Sequence, residues 1–240
     1  MLHSPFGCVD WRAVVGRMKN LVIAIDGPSG AGKGTISRTL SRALGYRHID
    51  TGAMYRAVGW KALHDDIDLD DEPSVAGLAQ RADLSVEGGV VLIDGHDVTR
   101  AIRTPEIDRA ATRVARLPKV REVLVSLQRQ LATAGAVVME GRDIGTVVCP
   151  GADIKIYLDA SAEERARRRV NDPAHTGGGT GQAAVAEAIA ARDKSDTTRA
   201  VSPLTVAGDA IVIDTTSMSI DDVVQRVMTI VGSQTGEQRS

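Results

Sequence analysis

The chain has 240 residues, with 29 lysines and arginines against 31 acidic residues and a formal charge of −2. That length suits one α/β domain with room for an inserted lobe, and the balanced charge excludes a general nucleic-acid binder. Cys8, Cys149 and five scattered histidines give neither a disulfide framework nor zinc spacing, and no apolar run approaches the ~20 residues that span a membrane, so a cytoplasmic protein with neither membrane nor nucleic-acid partner is expected.

Residues 1–17 carry Pro5, Gly7, Cys8 and Trp11 but neither an apolar signal core nor a small-residue cleavage site. Met18 stands just before the first apolar run, so the compact fold is expected to start there, with 1–17 a disordered extension. Leu21-Val22-Ile23-Ala24-Ile25 reads as a strand that stops at Asp26. Gly27-Pro28-Ser29-Gly30-Ala31-Gly32-Lys33-Gly34-Thr35 follows, and then Ile36, Leu40 and Leu44 at helical spacing, with Gly45 as the stop. Strand, glycine-rich loop and helix in that order are what a phosphate-binding loop requires. Glycines let the backbone wrap an anion, the first helical N–H groups point at the phosphates, and Lys33 adds a point charge. The loop predicts binding of a nucleoside triphosphate. The position after the lysine, where a hydroxyl usually holds Mg²⁺, is Gly34, so the ion is expected to be held by phosphates and water, with Thr35 the nearest hydroxyl and no protein ligand set.

Further Val/Ile-rich runs predict strands at 47–49, 137–139, 154–158 and 211–213, separated by helical stretches. Continuous apolar strands of this kind belong to a parallel sheet covered on both faces, here five-stranded in a three-layer α/β fold. The gap between the second and third strands is too long for one crossover helix. Within it, residues 84–95 alternate around Gly88-Gly89 as a hairpin, and the acidic stretch 65–72 reads as a surface turn rather than a metal site. A small β-containing lobe is therefore expected at about 63–102, inserted into a core of 18–62 and 103–231. Residues 172–182, with Pro173 and Gly177-Gly178-Gly179, follow an arginine-rich helix and predict a mobile lid within about 161–185. Residues 232–240 are polar and predict a flexible tail.

Three arginine-bearing segments fall at loop positions beside these elements: Asp50-Thr51-Gly52-Ala53-Met54-Tyr55-Arg56, Glu140-Gly141-Arg142-Asp143-Ile144-Gly145, and Arg192-Asp193-Lys194-Ser195-Asp196-Thr197-Thr198-Arg199. Phosphoryl transfer gathers negative charge, and guanidinium forks on the carboxyl side of an α/β sheet suit it. Taken in order with the glycine loop, these segments resemble the bacterial cytidylate, or (d)CMP, kinase family of P-loop nucleoside monophosphate kinases. The resemblance runs from about residue 18 to 230 and takes in Ile102-Arg103, Leu117-Pro118-Lys119-Val120-Arg121 and the helix 161–169; Gly-Lys-Gly-Thr is itself typical of that kinase group.

The resemblance implies a P-loop NTPase fold with an inserted monophosphate-binding lobe and a short lid. It implies that Arg56, Arg142 and Arg199 hold the acceptor phosphate with Arg192 nearby, and that Asp196 binds the sugar hydroxyl. Thr112, Arg121 and Asp143 would read the cytosine edge, and Thr51 and Tyr55 would shape the pocket. A carboxylate that accepts from the cytosine amino group would meet uracil's carbonyl with an unpaired acceptor. In the arginine-rich helix, Ser161 and Glu164 form a capping box, and Glu163–Arg167 and Glu164–Arg168 are i,i+4 pairs. Arg165, Arg168 and Arg169 share another face, and Arg165 and Arg169 are expected to close over the ATP phosphates.

The implied activity is direct in-line transfer from ATP to CMP or dCMP in pyrimidine nucleotide metabolism, with Mg²⁺ and without a covalent intermediate or a general base. Lys33, Arg142 and Arg199 carry the chemistry. A monomer with small-molecule substrates is expected. The rivals are a kinase for UMP, AMP or shikimate, a GTP-binding switch and a catalytically idle regulator. Against the switch, Asp193-Lys194-Ser195-Asp196 lacks the asparagine of the guanine-reading motif and follows an alanine-rich helix rather than a strand.

Overall fold

The computed structural model describes residues 20–172 and 181–237, with side chains described as far as 234. The expected extension 1–17 and the glycine-rich part of the lid, 173–180, lie outside these residues. All five expected strands form, as β1 (Val22–Asp26), β2 (Arg47–Asp50), β6 (Val137–Glu140), β7 (Ile154–Asp159) and β8 (Ile211–Asp214). They make one parallel sheet in the order β2-β6-β1-β7-β8. Each strand ends in an acidic residue: Asp26, Asp50, Glu140, Asp159 and Asp214; β1, β6 and β8 are apolar up to it, whereas β2 carries Arg47 and His48 and β7 carries Lys155. Register sets Ile25 opposite Glu140 and Asp50 opposite Glu140, so three of these carboxylates reach the same edge of the sheet.

Helices cover both faces, as continuous apolar strands demand. On one side α1 (Lys33–Leu44) and α8 (Ile220–Glu237) bury Ile36, Leu40, Leu44, Val224 and Val227 against Ile23, Ile156 and Ile213. Gly45 ends α1 in the left-handed region at φ 68°, and the next amide, of Tyr46, donates to Ser41 O at 2.8 Å. On the other side α5 (Pro118–Ala132) lays Val125 and Ala132 on Ile49, Val137 and Met139. The expected tail from 232 is helical as far as Glu237, because α8 continues past the end of the sheet. Among the described residues no helix is long and apolar enough to cross a membrane.

Between β2 and β6 the chain forms α2 (Thr51–His64), α3 (Glu72–Arg81), the strands β3 (Leu84–Glu87), β4 (Val90–Ile93) and β5 (His96–Asp97), and α4 (Pro105–Val114) before α5. The expected hairpin is present, with Gly88 and Gly89 at φ 60° and 86° in the turn. The inserted lobe is richer than the hairpin predicted, since it also carries α3 and the third strand. Asp71 caps α3 by accepting from the Ser74 amide, and Asp68 and Asp70 pair with Arg113, so the acidic stretch is a capped surface turn. Where α2 crosses α4 the backbones touch: a Cβ on Gly59 would stand 3.1 Å from that of Ala110. One apolar cluster then runs from α2 through the insert to Leu124 of α5.

Candidate active site

The glycine loop leaves β1 at the sheet's centre and ends on the first turn of α1. Gly27, Gly30 and Gly32 all have positive φ, at 147°, 80° and 91°. Gly27 is required by contact as well, because a Cβ there would lie 2.0 Å from Leu158 O. At Gly30 the same atom would lie 2.9 Å from Arg165 Cβ, so α6 (Ala162–Val170), the arginine-rich helix, rests directly on the loop. The α1 amides at this end face the loop's hollow, an arrangement suited to phosphate. Lys33 is buried there, and its Nζ donates to Pro28 O at 2.6 Å. Burial, and after it the positive charge of Arg142, holds this ammonium well below the usual lysine range, with Glu140 opposing and Arg192 adding to the effect. A cationic side chain so placed gains most from an anion brought into the loop.

Two of the three segments expected to supply arginines bring a charge to this lysine, through Arg142 and Arg192. Arg142 follows β6, and its Nε donates to Asp196 Oδ2 at 2.8 Å. Asp196 comes from the last turns of α7 (Gln182–Thr198), where Arg192 and the capping Arg199 also stand. Arg56, on the first turns of α2, donates to Asp50 Oδ2 at 2.8 Å, and Arg103 shares that carboxylate. Burial disfavours ionisation of Asp196, yet Arg142 and Arg192 together hold its carboxyl below the usual range. The four arginines expected at the acceptor phosphate are each held by a carboxylate, Arg56 by Asp50, Arg192 by Asp108, and Arg142 and Arg199 by Asp196, and the fields of Arg56 and Arg142 are felt at Arg192. A phosphate dianion entering among them would meet guanidiniums already gathered and only partly neutralised.

Beside these arginines the set expected to read cytosine is only partly assembled. Arg121 of α5 and Asp143 form a buried ion pair, 3% and 7% exposed, and Arg199 approaches the other Asp143 oxygen at 3.4 Å. The Arg121 guanidinium lies 5.6 Å from the Tyr55 ring centroid. Burial pushes the Tyr55 hydroxyl up to about 12, so it stays a neutral donor. Thr51 is fixed by donating to Glu140 O at 2.7 Å. Thr112 is not joined to the pair: its hydroxyl donates to Asp108 O one turn back in α4.

Of the lid arginines, Arg165 reaches the glycine loop. It donates to Ser29 O at 3.1 Å and pairs with Asp193, whose other oxygen takes the Ser29 amide at 3.1 Å. Arg169 points elsewhere, with its Nη2 2.6 Å from Asp108, a carboxylate that Arg192 shares at 3.2 Å. Arg168 is not free on that face, since it is bound to Glu164 and to both oxygens of Thr215. Arg167 pairs with Glu164 rather than the expected Glu163, and of the expected capping box only the Glu164 amide to Ser161 Oγ bond forms, since the Ser161 amide donates to Thr216 and the Glu164 carboxylate is taken by Arg167 and Arg168.

Four carboxylates that act here were outside the sequence-based site. Asp26 accepts from the Ile144 and Gly145 amides at 2.9 and 2.8 Å and so fixes the turn after Arg142 and Asp143, which is π-helical over Ile144–Val148. Burial raises its carboxyl to about 6 against the pull of those two amides. Glu140 accepts from His48 at 2.8 Å, and its Oε1 would lie 3.4 Å from a Cβ on Gly34. Both sit at the carboxyl ends of apolar strands, a position that marks them in hindsight. Asp108 and Asp193 carry no such signal. They stand on amphipathic or alanine-rich helices where a carboxylate reads as solvated.

Among the described residues no three His, Cys, Asp or Glu side chains are gathered as potential metal ligands. Thr35 is exposed, and Glu140 is the carboxylate facing the residue after Lys33. That donor set fits Mg²⁺ carried mainly by phosphates and water with one carboxylate beyond.

Comparison with known proteins agrees with this geometry. The profile of the cytidylate kinase family matches residues 23–233. The cytidylate kinase of Desulfitobacterium hafniense is 50% identical over 227 residues, covering 92% of this chain and 98% of that protein. That of Pelotomaculum thermopropionicum is 52% identical over 211 residues, covering 86% and 93%. Among solved structures, a gluconokinase from Sinorhizobium meliloti superposes with a TM-score of 0.50 at 13% identity, over 92% of this chain and 98% of that one, a likeness of fold alone.

Proposed function

The chain belongs to the cytidylate kinase family, and from that premise we propose how its residues transfer the γ-phosphoryl group of ATP to CMP or dCMP, giving CDP or dCDP. The observation that carries this reading is the buried Lys33 in the glycine loop, set in the field of Arg142 and Arg192. The acceptor phosphate is already a competent nucleophile at neutral pH, so catalysis reduces to positioning and charge stabilisation. The loop from Gly27 to Thr35 wraps the ATP phosphates through its amides. Lys33 holds the outer phosphates, and their charge restores its own. Arg165 closes from α6, with Arg169 joining when its bond to Asp108 is exchanged for phosphate.

On the acceptor side Arg56, Arg142 and Arg199 hold the CMP phosphate in line, Arg192 adds charge, and Asp196 takes a sugar hydroxyl. Arg121 donates to the cytosine ring while Asp143 accepts from its amino group, with Tyr55 and Thr51 forming the wall. Thr112 completes the set by turning its hydroxyl away from Asp108 O. Mg²⁺ bound to the ATP phosphates, met by Glu140 through water and with Thr35 the nearest hydroxyl, would neutralise charge during transfer. Burial of these side chains excludes water, which would otherwise hydrolyse ATP. The enzyme acts as a monomer on small molecules, in the cytoplasm where both nucleotides occur.

The test is ADP release with Mg-ATP and, in parallel, CMP, dCMP, UMP, AMP and shikimate. Turnover with CMP and dCMP well above the others is expected. Equal turnover with UMP would overturn the roles of Arg121 and Asp143, and turnover only with AMP or shikimate would overturn the acceptor assignment.

A further inference from the structure

A hollow of about 310 Å³ lies outside the active site, between the carboxyl half of α1, the start of β2 and the hairpin turn of the insert. Arg38, Arg42, Arg47 and His48 line it, and Glu87 is the one carboxylate among its lining residues. Arg38 and Arg42 are one helical turn apart, so their side chains leave α1 on the same face. Neither has an ion-pair partner among the described residues. Arg47 enters from β2, where its Nη2 donates to Leu131 O at 2.6 Å, and His48 is held through Nε2 on Glu140 at 2.8 Å. The far wall is Gly88 and Gly89, where a Cβ would meet nothing within 4 Å, so the mouth is open at the turn.

An ordinary solvated face spreads its charges apart. Here guanidiniums from two separate elements line one concavity, with Glu87 on its wall and Glu140 behind His48 as the acids beside them, and an anion shared between the arginines would relieve their repulsion. Guanidinium forks match phosphate oxygens, and three of them exceed what one phosphate can engage bidentately. The volume also falls at the low end of small-ligand pockets, ~300–1,000 Å³. We propose that this hollow is a second anion site, which takes a small molecule bearing two adjacent phosphate groups. It adjoins the glycine loop at Arg38, whose Nη1 would lie 3.3 Å from a Cβ on Gly34, and does not depend on the kinase reading.

Calorimetric titration with inorganic pyrophosphate tests it, in a Lys33→Ala, Arg142→Ala background so that both the glycine loop and the acceptor arginines are weakened. One equivalent is expected to bind, and adding Arg42→Glu or Arg47→Glu should weaken it at least tenfold. Arg42 is exposed and its side chain pairs with no acid among the described residues, so a folded variant is expected; an unchanged melting temperature checks it, and Arg42→Gln serves as a milder replacement. On the wild-type background Arg42→Glu should leave turnover at saturating ATP and CMP unchanged. Pyrophosphate binding that survives both charge reversals, or is already lost in the Lys33→Ala, Arg142→Ala background, overturns the site. Repeating the titration with ADP names the occupant: tighter binding than pyrophosphate assigns a nucleotide, weaker binding a free diphosphate.

Discussion

Single side chains here are tuned by neighbours they were not placed beside in the sequence. Arg142 is the clearest case, since it lowers the proton affinity of Lys33 and holds Asp196. Replacing it with alanine is expected to cut kcat by ~10²–10⁵, the range seen when a charge-stabilising donor or arginine is lost. Melting should fall only modestly, because Arg192 and Arg199 still face Asp196. An Arg142→Ala protein with normal turnover would remove it from the site. Arg121→Met should act differently, on choice rather than rate: without its donor the CMP-over-UMP preference in kcat/KM is expected to fall by ~10–100-fold, the cost of a buried hydrogen-bonding group left unmade. Asp26 offers a pH test. Its carboxyl is raised from 3.8 to about 6, so the folded state holds the proton more tightly than the unfolded chain. Stability from this group is full below pH 4, drains as pH rises to 6, and is then flat. Asp26→Asn escapes that loss, so its melting temperature minus that of wild type should rise between pH 4 and 6 and level off above. A difference that is constant across the range would show that Asp26 stays ionised.

Elements divide sharply in how far sequence alone reveals them. The parallel strands were legible because short runs bearing Val or Ile recur between helical stretches, and the glycine loop because strand, loop and helix come in one order. α3 and β5 were not, since a ten-residue helix with Gly77 at its middle and a two-residue strand leave almost no periodic signal. Of the site, the arginines were read from their clusters, whereas their carboxylate partners were not: Asp108 meets Arg169 and Arg192 only after α4, α6 and α7 have packed together. That three-helix junction carries its own prediction. Asp108 competes with phosphate for two guanidiniums, so Asp108→Asn should lower the KM for ATP several-fold, partly buried ion pairs being worth more than the ~0–1 kcal/mol of exposed ones. It should also speed amide exchange along Ala162–Val170, which loses a tether to α4. A KM that rises instead would mean that Asp108 positions the arginines rather than competing for them.

At the scale of the whole molecule, the insert and the core are one folding unit despite their separate sheets. The apolar cluster that begins at Ala53 in α2 passes through Val75, Val86, Ile93 and Ile102 and ends at Leu124 in α5, a helix that itself covers the five-stranded sheet. A lobe that shares its core with both flanking helices has no hydrophobic surface of its own to fold around, and three short strands are too few to stand alone. Ile93 tests this, because it is fully buried on β4, far in sequence from either end of the cluster. Ile93→Ala should cost ~2–5 kcal/mol through the lost contacts and the cavity left behind. At ~2–4 °C per kcal/mol for a chain of this size, the melting temperature should drop by roughly 5–20 °C. The cooperativity decides the point. A single calorimetric transition that moves as a whole is expected, and CMP, which binds only the folded chain, should recover part of the loss in proportion to its concentration. A new low-temperature transition, with the remainder melting as in wild type, would show that the insert unfolds alone. The acceptor pocket would then be built on a separable lobe rather than on the shared core.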